Sequence, residues 1–135
     1  MNKITFVDKE DRVVGSGSKA EALRDGIIHR VIRIFIFDIE GNLLIQLRGP
    51  HVFSLPGRWD QSVAGHVDVG ESYRDAAHRE LSEELGIVGV SPTEMWKYYS
   101  VETDEASLKM RFNMIYTLAY TGRISYNSRE IAKVK

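Results

Sequence analysis

The stretch that decides the fold is GHVDVGESYRDAAHRELSEELGI, residues 65–87. Its second half predicts a helix over residues 72–85. Ser72, followed three residues later by Asp75, matches a capping box at the start of a helix. Gly86 stands where a glycine in the left-handed conformation commonly ends a helix. We therefore expect one well-delimited helix in the middle of the chain.

Three glutamates crowd one side of this expected helix. Glu80, Glu83 and Glu84 stand at positions i, i+3 and i+4, which span about a hundred degrees of helical arc. Like charges this close repel one another, and a divalent cation bound through oxygen ligands would offset the repulsion. A glutamate-rich helix is, however, more often a solvated face, so the glutamates alone leave both interpretations open.

The spacing of the whole segment separates the two interpretations. It fits the pattern G-x₅-E-x₇-R-E-U-x-E-E-x-G-U, where U is aliphatic, and a chance match is on the order of 10⁻⁸ per chain. The fixed positions are Gly65, Glu71, Arg79, Glu80, Leu81, Glu83, Glu84, Gly86 and Ile87. This pattern is the signature of the Nudix family, which the chain resembles most strongly over residues 65–87 and more loosely over residues 31–135.

The resemblance implies an α+β fold, an α/β/α sandwich in which a mixed β-sheet carries a loop–helix–loop that binds Mg²⁺ or Mn²⁺ and diphosphate. It also implies a metal-dependent hydrolase that cleaves a nucleoside diphosphate derivative or a similar small diphosphate. Family members usually continue into a further strand and a C-terminal helix beyond the position of Lys135. This chain is either a shortened form or part of a longer protein, so the last layer of the sandwich is left open. A non-catalytic module that only binds a nucleotide is one alternative.

The resemblance also assigns roles to individual residues. By motif position, Glu83 and Glu84 resemble metal ligands, and Glu80 resembles a ligand or the base that activates water. The carbonyl of Ala64 or Gly65 is a further expected ligand. A metal so held neutralises phosphate charge and lowers the pKa of a bound water, which is the chemistry that hydrolysis needs.

Other positions are expected to support the site. Arg79 can orient a catalytic carboxylate. Together with Glu71 it is expected to brace the loop against the helix. Gly86 is the motif position that ends the helix. Glu130, near the chain end, suits an additional catalytic carboxylate, although a solvated loop residue is an equal alternative.

Four residues near the motif are candidates for binding substrate. Arg48 and Arg58 flank the loop before the motif and could clamp phosphate through paired N–H donors. Trp59 could stack on a base, and His66 lies within the motif loop. Surface exposure of the arginines and ordinary packing of the tryptophan are the alternative interpretations.

A second resemblance concerns the branch of the family. The runs GIIHRVIRIFIFD (26–38) and PGRWDQSVAGHVDVGES (56–72) resemble type 1 isopentenyl-diphosphate isomerase. That isomerase carries a catalytic cysteine where this chain has Ala64, and a glutamate where the run KMRFNMIY (109–116) has no acidic residue. These differences favour hydrolysis over isomerisation. His29 and His66 match two metal-binding histidines of the isomerase. They could form part of a second metal site, or they could simply make hydrogen bonds near a strand and line the motif loop, and the sequence leaves both alternatives open.

The remaining pattern predicts strands around the helix. A central strand over residues 31–37 follows from its β-branched and aromatic content, and a return strand over residues 43–47 would complete a hairpin. Further strands are expected near residues 94–101 and 109–121. The first 28 residues predict a β-hairpin and a short helix over residues 18–24, an extension of one Nudix domain that spans residues 1–135.

The composition of the chain excludes several kinds of site and partner. The chain has 135 residues, no cysteine and a net charge of −1. The absence of cysteine excludes disulfides, a thiol nucleophile and a thiolate zinc site. The near-neutral charge and the lack of a long apolar stretch argue against a nucleic acid polymer or a membrane as partner. We expect a cytoplasmic enzyme whose partner is a small diphosphate, and a homodimer is left open.

Overall fold

The computed structural model of the chain describes residues 2–48, 59–104, 107–125 and 131–134. The elements in chain order are β1 (Ile4–Val7), β2 (Val13–Gly17), α1 (Lys19–Asp25), β3 (His29–Phe37), β4 (Gln46–Arg48), β5 (Trp59–Asp60), β6 (Val63–His66), α2 (Tyr73–Leu85), β7 (Thr93–Thr103), β8 (Leu108–Ala119) and β9 (Ile131–Val134). A six-stranded sheet has the order β2-β1-β3-β8-β7, with β6 paired to β3, and a smaller sheet has the order β5-β4-β9.

Strand β3 lies at the centre of the larger sheet. It pairs in parallel with β8 and antiparallel with β1 and β6, so the sheet is mixed. Ile32, Ile34 and Ile36 are buried in the main core together with Leu81 and Leu85 of α2. The central strand and the α+β class predicted from the sequence are confirmed, and α2 is held on one face of the sheet by this apolar contact.

Helix α2 begins and ends where its sequence predicts. The Ser72 hydroxyl accepts a hydrogen bond from the backbone N–H of Asp75 at 3.0 Å, and the Asp75 carboxylate accepts one from the backbone N–H of Ser72 at 3.1 Å. Gly86 ends the helix with φ of 67°. Because both ends are satisfied locally, the motif helix has a fixed length and register. The short helix α1 is likewise capped by Ser18 and Gly26.

The predicted return strand over residues 43–47 is only partly correct. The turn forms, and the backbone N–H of Leu44 donates to the carbonyl of Ile36 at 2.9 Å. The hydroxyl of Ser62 then intervenes, because it accepts from the backbone N–H of Ile36 and donates to the carbonyl of Leu44. Beyond this point the chain leaves β3, and β4 joins the smaller sheet instead.

Strand β9, which the sequence did not predict, pairs antiparallel with β4 in that smaller sheet. The predicted N-terminal hairpin is present as β1 and β2, and β7 and β8 form the two later strands. No helix in the described part of the chain is long and apolar enough to cross a lipid bilayer.

Candidate active site

The three motif glutamates lie along the edge of α2, from the core outward. Glu84 is buried beside Leu81 and Leu85, the side chain of Glu80 is 13% exposed, and that of Glu83 is 55% exposed. This gradient places the carboxylates at the rim of the core, as the spacing predicted. Charged groups in this position are partly desolvated, so their repulsion is weakly screened.

Strand β6 approaches this edge closely at Gly65. A β-carbon added at Gly65 would lie 2.5 Å from Oε1 of Glu80, which is closer than real side chains permit. Any larger residue would push the Glu80 carboxylate away from the strand. Gly65 is therefore required for close approach, which agrees with its place in the motif.

The Arg79 side chain ties the loop before α2 to the helix. Its Nε donates to Glu71 Oε2 at 2.7 Å, and one terminal nitrogen donates to the backbone carbonyl of His66 at 2.9 Å. A carboxylate oxygen of Asp68 lies 3.5 Å from the same guanidinium. The bracing role predicted for Glu71 and Arg79 agrees with these contacts, and Asp68 is an acidic neighbour that the sequence did not single out.

The same guanidinium also contacts the catalytic candidates. It donates to Glu80 Oε1 at 2.6 Å and to Glu83 Oε2 at 3.2 Å. Burial alone would lower the pKa of Arg79, but the hydrogen bonds with Glu71 and Glu80 and the surrounding negative charge raise it above its ordinary value. Among the described side chains one arginine thus faces four carboxylates, and negative charge is in excess around it.

Glu84 is oriented by a residue from a distant part of the chain. The side-chain amide of Gln46 donates to Glu84 Oε1 at 2.9 Å and to the backbone carbonyl of Ser62 at 2.8 Å. All three residues are buried. Gln46 lies in β4, and no local feature of the sequence marks it, because only the departure of β4 from β3 brings it to α2.

The donor set at this edge suits a hard divalent cation. Carboxylate oxygens and a backbone carbonyl are the ligands that Mg²⁺ and Mn²⁺ prefer, and Glu80, Glu83, Glu84 and the carbonyl of Ala64 or Gly65 would supply them. Within the described ranges, no three histidine, cysteine or acidic side chains already converge as a complete metal site. In this arrangement Arg79 occupies part of the carboxylate oxygens, and the assignment of these ligands stays a prediction.

The other predicted substrate contacts are located only in part. Arg48 is the last residue of β4, and Trp59 is the first residue of β5. These two strands pair with each other, so both residues lie in the smaller sheet. Arg58 and Glu130 lie outside the described residues. Ala64 pairs with Arg33 in the main sheet.

His29 and His66 do come together, as their resemblance to a metal site suggested. Their rings stack with centroids 5.4 Å apart. Their neighbours on β8, however, are Arg111 and Asn113, which are the register partners of His29 and Val31. These are not the acidic ligands that a cation would need beside two histidines. Burial and nearby positive charge lower the pKa of His66 well below its ordinary value.

Comparison with known proteins agrees with this geometry. The model of the NUDIX domain family matches residues 27–135. An uncharacterized Nudix hydrolase of Streptomyces coelicolor is 32% identical over 130 residues, which cover 96% of this chain and 70% of that protein. Isopentenyl-diphosphate Delta-isomerase 2 of Photorhabdus laumondii is 45% identical over 83 residues, 62% of this chain and 47% of the isomerase.

A solved structure extends the likeness to the fold. A crystal structure of a Deinococcus radiodurans protein superposes with a TM-score of 0.81 at 27% identity, and the match covers 98% of this chain and 81% of that one. The matches to several of the curated isomerases span about half of the length of those proteins. What those longer proteins do is therefore a guide to this chain and not a finding about it.

Proposed function

The chain belongs to the Nudix family, and we propose that it hydrolyses the diphosphate linkage of a small nucleoside diphosphate derivative or similar compound, with Mg²⁺ or Mn²⁺ bound at the edge of α2. The observation that carries this proposal is the charge imbalance there. Among the described side chains, Arg79 is the one cation that faces Asp68, Glu71, Glu80 and Glu83. A bound divalent cation would offset this excess of negative charge.

Each residue of the site then has a specific task. Glu83 and Glu84, with the carbonyl of Ala64 or Gly65, would hold the metal, which when bound neutralises phosphate charge and acidifies a coordinated water. Glu80, whose side chain is 13% exposed and lies against β6, would be a further ligand or the base that accepts a proton from that water. A base must lie within hydrogen-bond reach of the proton that it removes.

Arg79 is a positioning residue in this proposal. Its contacts with Glu71 and the His66 carbonyl fix the loop, and its contact with Glu80 fixes the direction of that carboxylate. Gln46 positions Glu84 in the same way from the other side. Errors of about 1 Å in such an arrangement can cost about a hundred-fold in rate, so these contacts are expected to matter for turnover.

The proposal is tested by phosphate or monophosphate release from a panel of diphosphate-linked compounds with Mg²⁺. Glu83→Gln should lower turnover by about 10² to 10⁴-fold while the protein stays folded, because the side chain is 55% exposed and supports no core contact. Glu40→Gln, in the exposed turn after β3, is the matched control and should retain full activity. Equal turnover in Glu83→Gln and wild type would refute the site assignment.

Isomerisation of isopentenyl diphosphate is the second candidate, and the 45% identity to a named isomerase favours it. Against it, Ala64 stands at the position of the isomerase cysteine, and the chain has no cysteine elsewhere. A proton-exchange assay in deuterated water separates the two, because hydrolysis leaves the carbon-bound hydrogens unexchanged. Tight nucleotide binding without turnover would instead indicate a binding module.

A further inference from the structure

The face of the larger sheet turned away from α2 carries a cluster of two arginines and two histidines. In the β3–β8 register His29 lies beside Arg111, and in the β3–β6 register Val31 lies beside His66 and Arg33 beside Ala64. Residues paired across strands share a face, and alternate residues along a strand face opposite sides. His29, Arg33, His66 and Arg111 therefore share the face opposite to the core isoleucines of β3.

Arg33 lacks a carboxylate partner among the described residues. Its Nε donates to Asn113 Oδ1 at 2.9 Å, and a terminal nitrogen donates to Gln61 Oε1 at 3.1 Å. Both acceptors are neutral amides, which orient the guanidinium without cancelling its charge. Asn113 is fully buried and is itself held by the Ser100 hydroxyl at 2.9 Å, so the orientation of Arg33 is fixed.

Arg111 is a second incompletely paired cation. Its side chain is only 12% exposed, and its Nε is buried with no hydrogen-bond partner. Its one carboxylate contact, with Glu102 at 3.2 Å, lies at the rim, where Glu102 is 58% exposed. A buried charged donor without a partner is unfavourable, so a structure that keeps one calls for an explanation.

The two histidines complete the cluster. His29 is buried, and its Nδ1 lies 2.9 Å from the carbonyl of Ile27, so that nitrogen carries the hydrogen and Nε2 is left for another partner. The His66 ring stacks on the His29 ring, with the ring centroids 5.4 Å apart.

We propose that this face, defined by Arg33, Arg111, His29 and His66, binds a phosphate group of the substrate beyond the metal-bound part at α2. The inference rests on the proposed hydrolase function and names its substrate class, a diphosphate that bears a further phosphate or terminal phosphoryl group. Guanidinium groups are the side chains best suited to bind phosphate. Here Arg33 has no carboxylate partner among the described residues, and Arg111 has only the exposed Glu102.

The position of β6 links this cluster to the edge of α2. Gly65 meets Glu80 on one face, whereas its neighbours Ala64 and His66 project to the other. Among the described strands β6 pairs only with β3, and on its other edge the His66 carbonyl accepts from Arg79, so this edge faces the loop and helix of the motif. A substrate that crosses β6 at this edge can place one phosphate at the metal and another against the arginines.

The first experiment measures binding of inorganic pyrophosphate in excess chelator, by calorimetry, so that no divalent metal assists. Wild type and the control Arg24→Gln, a surface arginine paired with Asp25, should bind with equal affinity. Arg111→Gln and Arg33→Gln should each weaken binding by about ten-fold or more. No binding to wild type, or unchanged affinity in both folded variants, would overturn the proposal.

The second experiment separates a substrate phosphate from free phosphate. For substrates with the extra phosphate, Arg33→Gln should raise KM by about ten-fold at unchanged kcat, and it should leave KM unchanged for substrates without it. If pyrophosphate binding is lost but KM does not change, the ligand is free phosphate and the assignment to substrate is wrong. Glu83→Gln should keep metal-free pyrophosphate binding while losing hydrolysis, so failure of the active-site assignment is distinguished from failure of this one.

Discussion

Two clusters of charged side chains in this molecule have opposite balances. At the turn between β1 and β2, the single carboxylate of Asp11 accepts hydrogen bonds from Arg30 at 2.7 Å, Tyr73 at 2.8 Å and Lys97 at 2.8 Å. At the edge of α2, the single guanidinium of Arg79 is instead shared by four carboxylates. The first cluster pairs its acid completely, whereas in the second, among the described side chains, acid is in excess.

This difference in charge balance distinguishes a cluster that stabilises the fold from one that we expect to bind a ligand. Asp11 joins the N-terminal hairpin to β3, α2 and β7, and its side chain is 6% exposed, so its contacts serve to hold elements together. The contacts at the edge of α2 contribute less to stability. Each carboxylate that is attracted to the single arginine also repels the other carboxylates around it. A partly buried site whose side chains do not balance their own charge is a candidate site for a ligand of the opposite charge.

Removal of the shared arginine should give the largest effect on stability. Arg79→Gln leaves four carboxylates without a cation, and we expect a loss of about 2–4 kcal/mol in the free energy of unfolding. Mg²⁺ should restore part of this loss, because it supplies the positive charge that the variant lacks. Urea denaturation with and without Mg²⁺ measures both quantities, and a loss that Mg²⁺ leaves unchanged would contradict the charge argument.

The Asp11 cluster should respond differently. Asp11→Asn keeps a residue that tolerates the left-handed backbone at this position, where φ is 62°. It should lose about 2 kcal/mol of unfolding free energy, because two cations lose their acceptor charge. The loss should be the same with and without Mg²⁺, and hydrolysis per folded molecule should be unchanged.

The pH dependence of Asp11→Asn gives an independent check. Burial would raise the pKa of Asp11, but the hydrogen bonds from Lys97, Arg30 and Tyr73 hold it below its ordinary value of 3.8. The stabilisation is therefore fully present above about pH 4 and is lost as pH falls through the lowered folded-state pKa. The gap between wild type and variant should narrow in acid, and a gap that widens there would refute this role.

Gly65→Ala should give the smallest loss of stability but a clear loss of activity. The added β-carbon must displace the Glu80 carboxylate, which we expect to cost about 1–2 kcal/mol. Turnover should fall by about a hundred-fold because Glu80 leaves its position. Gly15→Ala, where no atom lies within 4 Å of an added β-carbon, is the matched control and should change neither quantity. Full activity in Gly65→Ala would show that the close approach is not needed.

Features set by neighbouring residues were predictable from the sequence. Ser72, Asp75 and Gly86 fix the ends of α2 through contacts within the helix and its first turn, so their pattern is readable locally. The β-branched and aromatic content of residues 31–37 likewise predicted a central strand. The motif spacing placed Glu80, Glu83 and Glu84 on one edge because helical geometry alone decides that.

Features set by long-range register were not predictable in this way. Ser62 separates residues that a hairpin would have paired, and it does so through one hydroxyl from the bend between β5 and β6. Gln46 reaches Glu84 only as a result of that separation. The parallel pairing that places Arg111 beside His29 depends on which strands meet, and nothing local to either residue reveals it.

The central claim is that the acid in excess along α2 holds a divalent cation. Its most direct test is calorimetric titration of Mg²⁺ into metal-free wild-type protein and into Glu83→Gln, with Asp11→Asn as the reference for an acid outside the site. We predict saturable binding to wild type and to Asp11→Asn, and at least about ten-fold weaker binding to Glu83→Gln. Equal Mg²⁺ affinity in all three proteins, or no binding to wild type, would contradict the account.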